Sequence, residues 1–258
     1  MKNIIKLFTL LIIIIVIISC GKKKLIEVVE VPLPSTEEKI TIGQPDDVKA
    51  NEGQFELEKL PYDYNSLSPS IDILTMEMHY SKHYLTHTNN LNKIVADEES
   101  LKDLSIEEIL KKCDGKNSDL KYNAGGYYNH NLFWNSIKPL SGGQPKDTLA
   151  SAIKQDFGSF DQFKTDFSEV ANKHQGAGWA WLLVNKDGKL QVISTPNQDN
   201  PLMPKQIVSG KPILNIDIWE HAYYLNYQYK RKNYIDNFFK IINWEKVSER
   251  YEEAISKR

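Results

Sequence analysis

The spacing of apolar and polar positions divides this chain into segments of different period. From Asp72 to Ile94 apolar residues recur every three or four positions, which predicts one long helix. Met76, His79, His83 and His87 share a slowly drifting face of it. Leu104 to Cys113 and Asn117 to Trp134 continue the helical pattern, interrupted at Gly115. Thr148 to Phe157 and Phe160 to Lys173 predict two more helices, the second capped by Ser159 or Asp161. The period then drops to two. Trp179 to Val184 and Lys189 to Ser194 flank Asn185-Lys186-Asp187-Gly188, a hairpin signal, and the run Pro212 to Ile216 predicts a third, buried strand ending at Asp217. Helical spacing returns for Tyr223 to Tyr229 and Tyr234 to Ile255, giving an α+β chain. Its strongest internal punctuation, Ser141-Gly142-Gly143-Gln144-Pro145, predicts a boundary between segments 55–140 and 141–258.

The first 54 residues obey neither period. Lys2 and Lys6 precede a nearly unbroken Leu, Ile and Val run from Leu7 to Ile18, the length of a signal-peptide core and short for a membrane span. It ends in Ile17-Ile18-Ser19-Cys20-Gly21, which resembles the bacterial lipobox. That implies removal of residues 1–19, a lipid on Cys20, and an exported, membrane-anchored protein at the periplasmic or cell surface; an uncleaved anchor would also leave it exported. Residues 20–54, with Pro32, Pro34 and Pro45 and no aromatic before Phe55, read as a flexible tether, roughly 30 Å end to end.

Charge and cysteine content narrow the partners. With Lys2 and Lys6 removed, 30 basic residues face 34 acidic ones, so nucleic acid is not an expected partner. If Cys20 carries lipid, Cys113 has no partner within the chain; its Lys111-Lys112-Cys113-Asp114-Gly115 setting reads as a bystander thiol at a helix end.

Candidate chemistry concentrates in the histidines. Asp217-Ile218-Trp219-Glu220-His221 puts a carboxylate at a strand end and an imidazole four residues later, a possible half-site for Mn, Fe or Zn. The structural alternative is an N-terminal helix Asp beside an ordinary buried His. Three of the six histidines lie on the 79–83–87 stripe, though spacing alone does not say which would bind. His130 follows Gly125-Gly126, two helical glycines that imply close backbone packing. His174, in a Lys-His-Gln-Gly loop, reads as a surface residue.

Taken together, Leu60-Pro61-Tyr62, Thr75-Met76-Glu77-Met78-His79, Asn123 to Trp134, Gly178-Trp179-Ala180-Trp181, Asn197-Gln198-Asp199 and Asp217 to Tyr224 resemble the iron/manganese superoxide dismutases, from about Phe55 to Arg258. The resemblance implies an N-terminal α-helical hairpin domain and a C-terminal α/β domain with a three-stranded antiparallel sheet. It implies one metal per chain, held by His79, His130, Asp217 and His221 with a solvent ligand. Gln198 would hydrogen-bond that solvent, and Trp134, Trp179, Trp181 and Trp219 would supply the apolar surround. His83 would stand at the substrate channel and meet Tyr224 of a second subunit, and Glu220 would reach that subunit's His221, giving a homodimer or tetramer. Lys82 and Lys230 would draw superoxide in.

Gln198 with Gly126 opposite follows the manganese-type pattern, since the iron type places its glutamine at position 126; manganese is favoured, with iron the other choice. One position departs from the family. His87 stands where most relatives have a tyrosine, and at that place it would lie near Gln198. A free histidine titrates near ~6.5 and a tyrosine near ~10, so an acid-side pH dependence is expected. The alternative function is a metal-binding surface lipoprotein with little turnover, or an adhesion role for the tethered domain.

Overall fold

The computed structural model describes residues 41–256; the signal-like segment, Cys20 and the tether up to Ile40 lie outside them. The longest helical stretch is α1, Ile73–Met78, a π-helical turn His79–Tyr84, and α2, Leu85–Asp97. Asp72 caps its start by accepting the Thr75 amide at 3.0 Å. The sequence predicts uninterrupted α-helix here; the π turn adds one residue to the hydrogen-bonded repeat just where His79 and His83 sit. Tyr80 and Tyr84 point into the core instead, and their hydroxyls bind the Glu58 carbonyl and amide, both at 2.9 Å.

A short helix α3, Ile106–Lys112, closed by a Ser105/Glu108 capping box, leads into α4, Ser118–Trp134, which packs back on α2. Helices α5, Asp147–Phe157, and α6, Phe160–Lys173, follow; Ser159 caps α6 by accepting the Gln162 amide. Strands β1, Gly178–Asn185, β2, Leu190–Pro196, and β3, Gly210–Asp217, form an antiparallel sheet of order β2-β1-β3. Central β1 is buried on both faces, and its register sets Trp179 opposite Asp217.

Two predicted helices differ. Tyr223 to Tyr229 contains only a single helical turn, α7, Tyr224–Tyr227, which Gln228 ends at positive φ. The final stretch is two helices, α8, Arg231–Phe238, and α9, Trp244–Ser256. At the break Ile242 pairs with Ile137, and the Asn243 amide bonds the Ser136 carbonyl at 2.7 Å. These bonds, with Lys138 N–H to Ile241 O and Gly142 N–H to Ile242 O, tie the two sides of the Ser141–Pro145 turn together, and one apolar core runs through residues on both sides.

The last part of the tether expected over residues 20–54 is packed. Residues from Ile42 onward belong to the packed unit. Gly43 N–H donates to Glu77 Oε1, Asn51 N–H to Asn89 Oδ1 and Phe55 N–H to Asn92 Oδ1, all at 2.7 to 2.8 Å. This arm therefore exchanges its backbone solvation for side chains of α1 and α2.

Candidate metal centre

Four side chains from α1/α2, α4, β3 and the turn after it converge. His79, at the start of the π turn, His130, in the last turns of α4, Asp217, the last residue of β3, and His221, in the 3-10 turn Glu220–Ala222, have ligand atoms within 4.8 Å of one another. All three imidazoles aim Nε2 at Asp217 Oδ2: His79 at 3.1 Å, His221 at 3.2 Å and His130 at 3.7 Å. The helix stripe supplies one donor here. His83 is half-buried and stacks on His221 with ring centroids 3.8 Å apart, while His87 lies deeper along α2.

Hydrogen bonds outside the cluster orient it. His130 Nδ1 lies 2.7 Å from the Gly126 carbonyl and donates to it, which fixes Nε2 as the lone-pair nitrogen. That Nε2 is buried and has no hydrogen-bond partner. Asp217 Oδ1 accepts the Trp219 amide at 2.8 Å, leaving Oδ2 for the cluster. Burial pushes the His79 and His130 pKa values below the ordinary histidine range, keeping both rings neutral. Burial opposes ionisation of Asp217, but the pull of the His221 imidazole and the hydrogen bonds from His221 and His79 overcome it and hold the carboxyl well below the ordinary carboxylate range. Neutral imidazole nitrogens around a buried carboxylate, one of them orphaned, are the donor set a first-row divalent or trivalent ion needs.

The wall is aromatic. Trp134 lies 4.8 Å from His79 and Trp179 5.1 Å from His130, centroid to centroid, and Trp181 lies behind Trp179. Trp219 is only partly buried and stacks beside His221 at 5.8 Å. Gln198 is buried next to this wall, its Oε1 accepting Trp179 Nε1–H at 2.9 Å. Glu220 and Tyr224 point outward, with Tyr224 51% exposed and Glu220 3.9 Å from Arg231.

Both helical glycines have a steric reason. A Cβ on Gly125 would lie 2.1 Å from the Gln198 carbonyl oxygen, and one on Gly126 would lie 2.4 Å from His87 Cγ and Nδ1. His87 thus occupies the space that a side chain at 126 would need. Its hydrogen-bond partner is Asn123 Oδ1 at 3.3 Å, and among the described residues no hydrogen bond joins it to Gln198. Burial lowers the His87 pKa to about 4, which moves the expected acid-side dependence far down. Burial, with the neighbouring His221 and His79 imidazoles, also lowers His83 to about 4.

Two further sequence expectations are refined here. His174 is half-buried, with Nδ1 3.0 Å from Ser194 Oγ and its carbonyl accepting Arg231 Nη1–H at 2.7 Å. Cys113 is buried at the end of α3, burial raises its thiol pKa to about 11, and its Sγ donates to the Ile109 carbonyl. Sequence reasoning missed Asn123, Asn129 and Asn200 near the site. Buried asparagines follow no helix or strand period, and the densely placed Asn residues of 123–131 and 197–200 were the only signal.

Residues 54–138 match the α-hairpin domain of the iron/manganese superoxide dismutases, and residues 145–250 match their C-terminal domain. The manganese superoxide dismutase of Acinetobacter baylyi is 46% identical over 205 residues, covering 79% of this chain and 90% of that protein. That of Listeria monocytogenes is 44% identical over 78% of this chain and 98% of its own length. One from Leptolyngbya boryana is 41% identical over 77% of this chain and 83% of its own length. With both domains matched in order and relatives alike over nearly their full lengths, the chain belongs to the iron/manganese superoxide dismutase family.

Proposed function

We propose that this protein is a superoxide dismutase working with one manganese ion per chain, held by His79, His130, Asp217 and His221. The observation that carries this is the convergence of three Nε2 atoms on Asp217 Oδ2 in a buried, aromatic-walled site. A redox-active ion held there would supply an acceptor for the electron of one superoxide and a donor for the next, the products being dioxygen and, with two protons, hydrogen peroxide. The chain's own residues position, exclude and deliver. Trp134, Trp179 and Trp219 keep bulk water from the donors. His83, neutral and half-exposed against His221, is the group through which protons enter. His87 and Gln198 line the interior side, and Lys82 and Lys230 draw the anion inward.

Manganese rather than iron is supported by the Gly126–His87 contact, which leaves no room at 126 for the glutamine of the iron-type pattern, and by the manganese named for the relatives. The test is superoxide decay followed by stopped-flow absorbance on purified, manganese-loaded protein. Decay with matching dioxygen and peroxide yields supports the reading; a fully loaded protein that leaves superoxide at its spontaneous rate is a binding module instead.

Export and assembly belong to the same proposal. The Lys2/Lys6 segment, the Leu7–Ile18 run and Ser19-Cys20-Gly21 support a lipid on Cys20 and a position outside the cytoplasm. The outward Glu220 and Tyr224, within three residues of His221 in the chain, support a homodimer, or a tetramer built from it, joined at the mouth of the site. Ile73, Met78 and Leu225, all exposed, lie on elements that pack together there and would be covered by it.

A further inference from the structure

Gln198 matters through the orientation of its carboxamide, because one end donates and the other accepts. Two donor-only groups fix that orientation from opposite directions. The Trp179 indole can only donate, so the atom it meets at 2.9 Å is Gln198 Oε1. At the far end the Leu202 backbone N–H can only donate, so the Asn200 atom 2.8 Å from it is Oδ1. Asn200 Nδ2 must then be the donor to Asn129 Oδ1, at 2.8 Å. Asn129 Nδ2 is left to donate to Gln198 Oε1 at 3.3 Å and to the Gln198 carbonyl at 3.2 Å. The two derivations agree at Gln198: Oε1 faces the protein and Nε2 is the end that no hydrogen bond among the described residues uses.

We propose that Asn200 is a positioning residue that, through Asn129, sets which end of the Gln198 carboxamide is presented to the metal centre. Asn200 and Asn129 are both fully buried, and Asn129 immediately precedes the donor His130. Asn129 is itself held in place, because Asn215 Nδ2 donates to its backbone carbonyl at 2.8 Å from a position two residues before Asp217. Gly125 completes the arrangement by letting the Gln198 backbone touch α4. The relay depends on polarity more than on shape. An acceptor-only group at 200 would still satisfy Leu202 N–H but would turn Asn129 round, setting Asn129 Oδ1 against Gln198 Oε1.

This inference rests on the proposed dismutase reading for its catalytic meaning, though not for its geometry. The first measurement is neutron diffraction of deuterated protein. Two deuterons on the Asn129 atom facing Gln198 are expected; two deuterons on the atom facing Asn200 overturn the proposal without any variant. The second measurement uses Asn200→Asp and the milder Asn200→Ala. In metal-free protein the Gln198 and Asn129 side-chain amide signals in 1H–15N spectra should shift in both. At matched manganese content dismutase activity should fall roughly tenfold in Asn200→Asp, the loss expected from one hydrogen bond, and less in Asn200→Ala. If Asn200→Asp does not fold, Asn200→Ala decides. Unchanged Gln198 amide signals with unchanged activity in a folded variant overturn the proposal. A manganese-loaded parent without dismutase activity would defeat the functional reading instead, and the neutron and amide readouts would still decide the role of Asn200.

Discussion

Gly126→Ala adds one methyl group in the most crowded part of α4. That methyl would lie 2.4 Å from His87 Cγ and Nδ1 and 2.6 Å from Cδ2, well inside contact distance. The imidazole cannot easily retreat, since His130 and Tyr122 pack on its faces at 5.4 and 5.0 Å and Asn123 holds Nδ1. Overpacking costs about 1 to 3 kcal/mol, and a buried ring walled on several sides belongs at about 3. Alanine in place of a helical glycine returns about 1 kcal/mol. The net loss is about 2 kcal/mol, a fall of about 4 to 8 °C in the Tm of a domain this size. The measurement is thermal unfolding of metal-free protein, so that metal binding does not add its own stabilisation. In a His87→Ala background the obstruction is gone, and the same Gly126→Ala change should raise Tm by about 2 to 4 °C. A Tm that rises in the parent, or that falls equally in both backgrounds, would refute the steric argument and the exclusion of a glutamine at 126 with it.

Four other outcomes follow from the same site and termini. His87, lowered to about 4 by burial against about 6.5 when unfolded, contributes its full stability above pH ~6.5 and loses it as pH falls towards about 4. His87→Gln should therefore flatten the pH dependence of urea stability in metal-free protein by up to about 3 kcal/mol across that window, and parallel curves would contradict it. His130→Ala should lose most of its manganese by elemental analysis, because the three remaining donors leave the site unfilled; zinc supporting activity in the parent would defeat the manganese assignment. Glu220→Ala should raise the dimer dissociation constant in sedimentation velocity, and a parent that stays monomeric at all concentrations would dismiss the interface. Mass spectrometry of membrane-extracted protein should show a lipidated Cys20 as the first residue, whereas an unmodified Cys20 with Met1 attached refutes processing.

What the sequence revealed was mostly local. The Asp217–His221 pair and the Asn185–Gly188 hairpin each depend on residues within a few positions of one another, and the adjacent Gly125-Gly126 marks a close approach whose partners, Gln198 and His87, lie far off in the chain. Partners far apart in sequence were legible only through the family resemblance, which named His79, His130, Asp217 and His221 as one set. The gap between α8 and α9 carries no Gly or Pro, and the apolar period runs straight through it because Ile241 and Ile242 are buried against Ile137. The π turn at His79–Tyr84 is a change in hydrogen-bond partner with no change in residue type. The arm from Ile42 to Gln54 has a tether's composition, but Glu77 and Asn89 accept amides from it, Gln54 bonds the Leu104 carbonyl, and Ile42 and Val48 pack against the core. The position of His87 was readable from helical spacing, but its choice of Asn123 over Gln198 depends on how α4 docks.

The provenance of the four donors also constrains the order in which the molecule matures. His79 and Asp217 are 138 residues apart, and only Asp217 and His221 are close in sequence. A nascent chain emerging from its N-terminus presents His79 and His130 long before any carboxylate can join them. Closing such a large loop carries an entropic cost that the docking of β3 beside β1 and against α4 must first overcome. The donor cluster is thus complete only once that long-range docking has been made. A chain that ends before residue 217 keeps two imidazoles and loses the carboxylate, so an incomplete product cannot hold a redox-active ion in this cage.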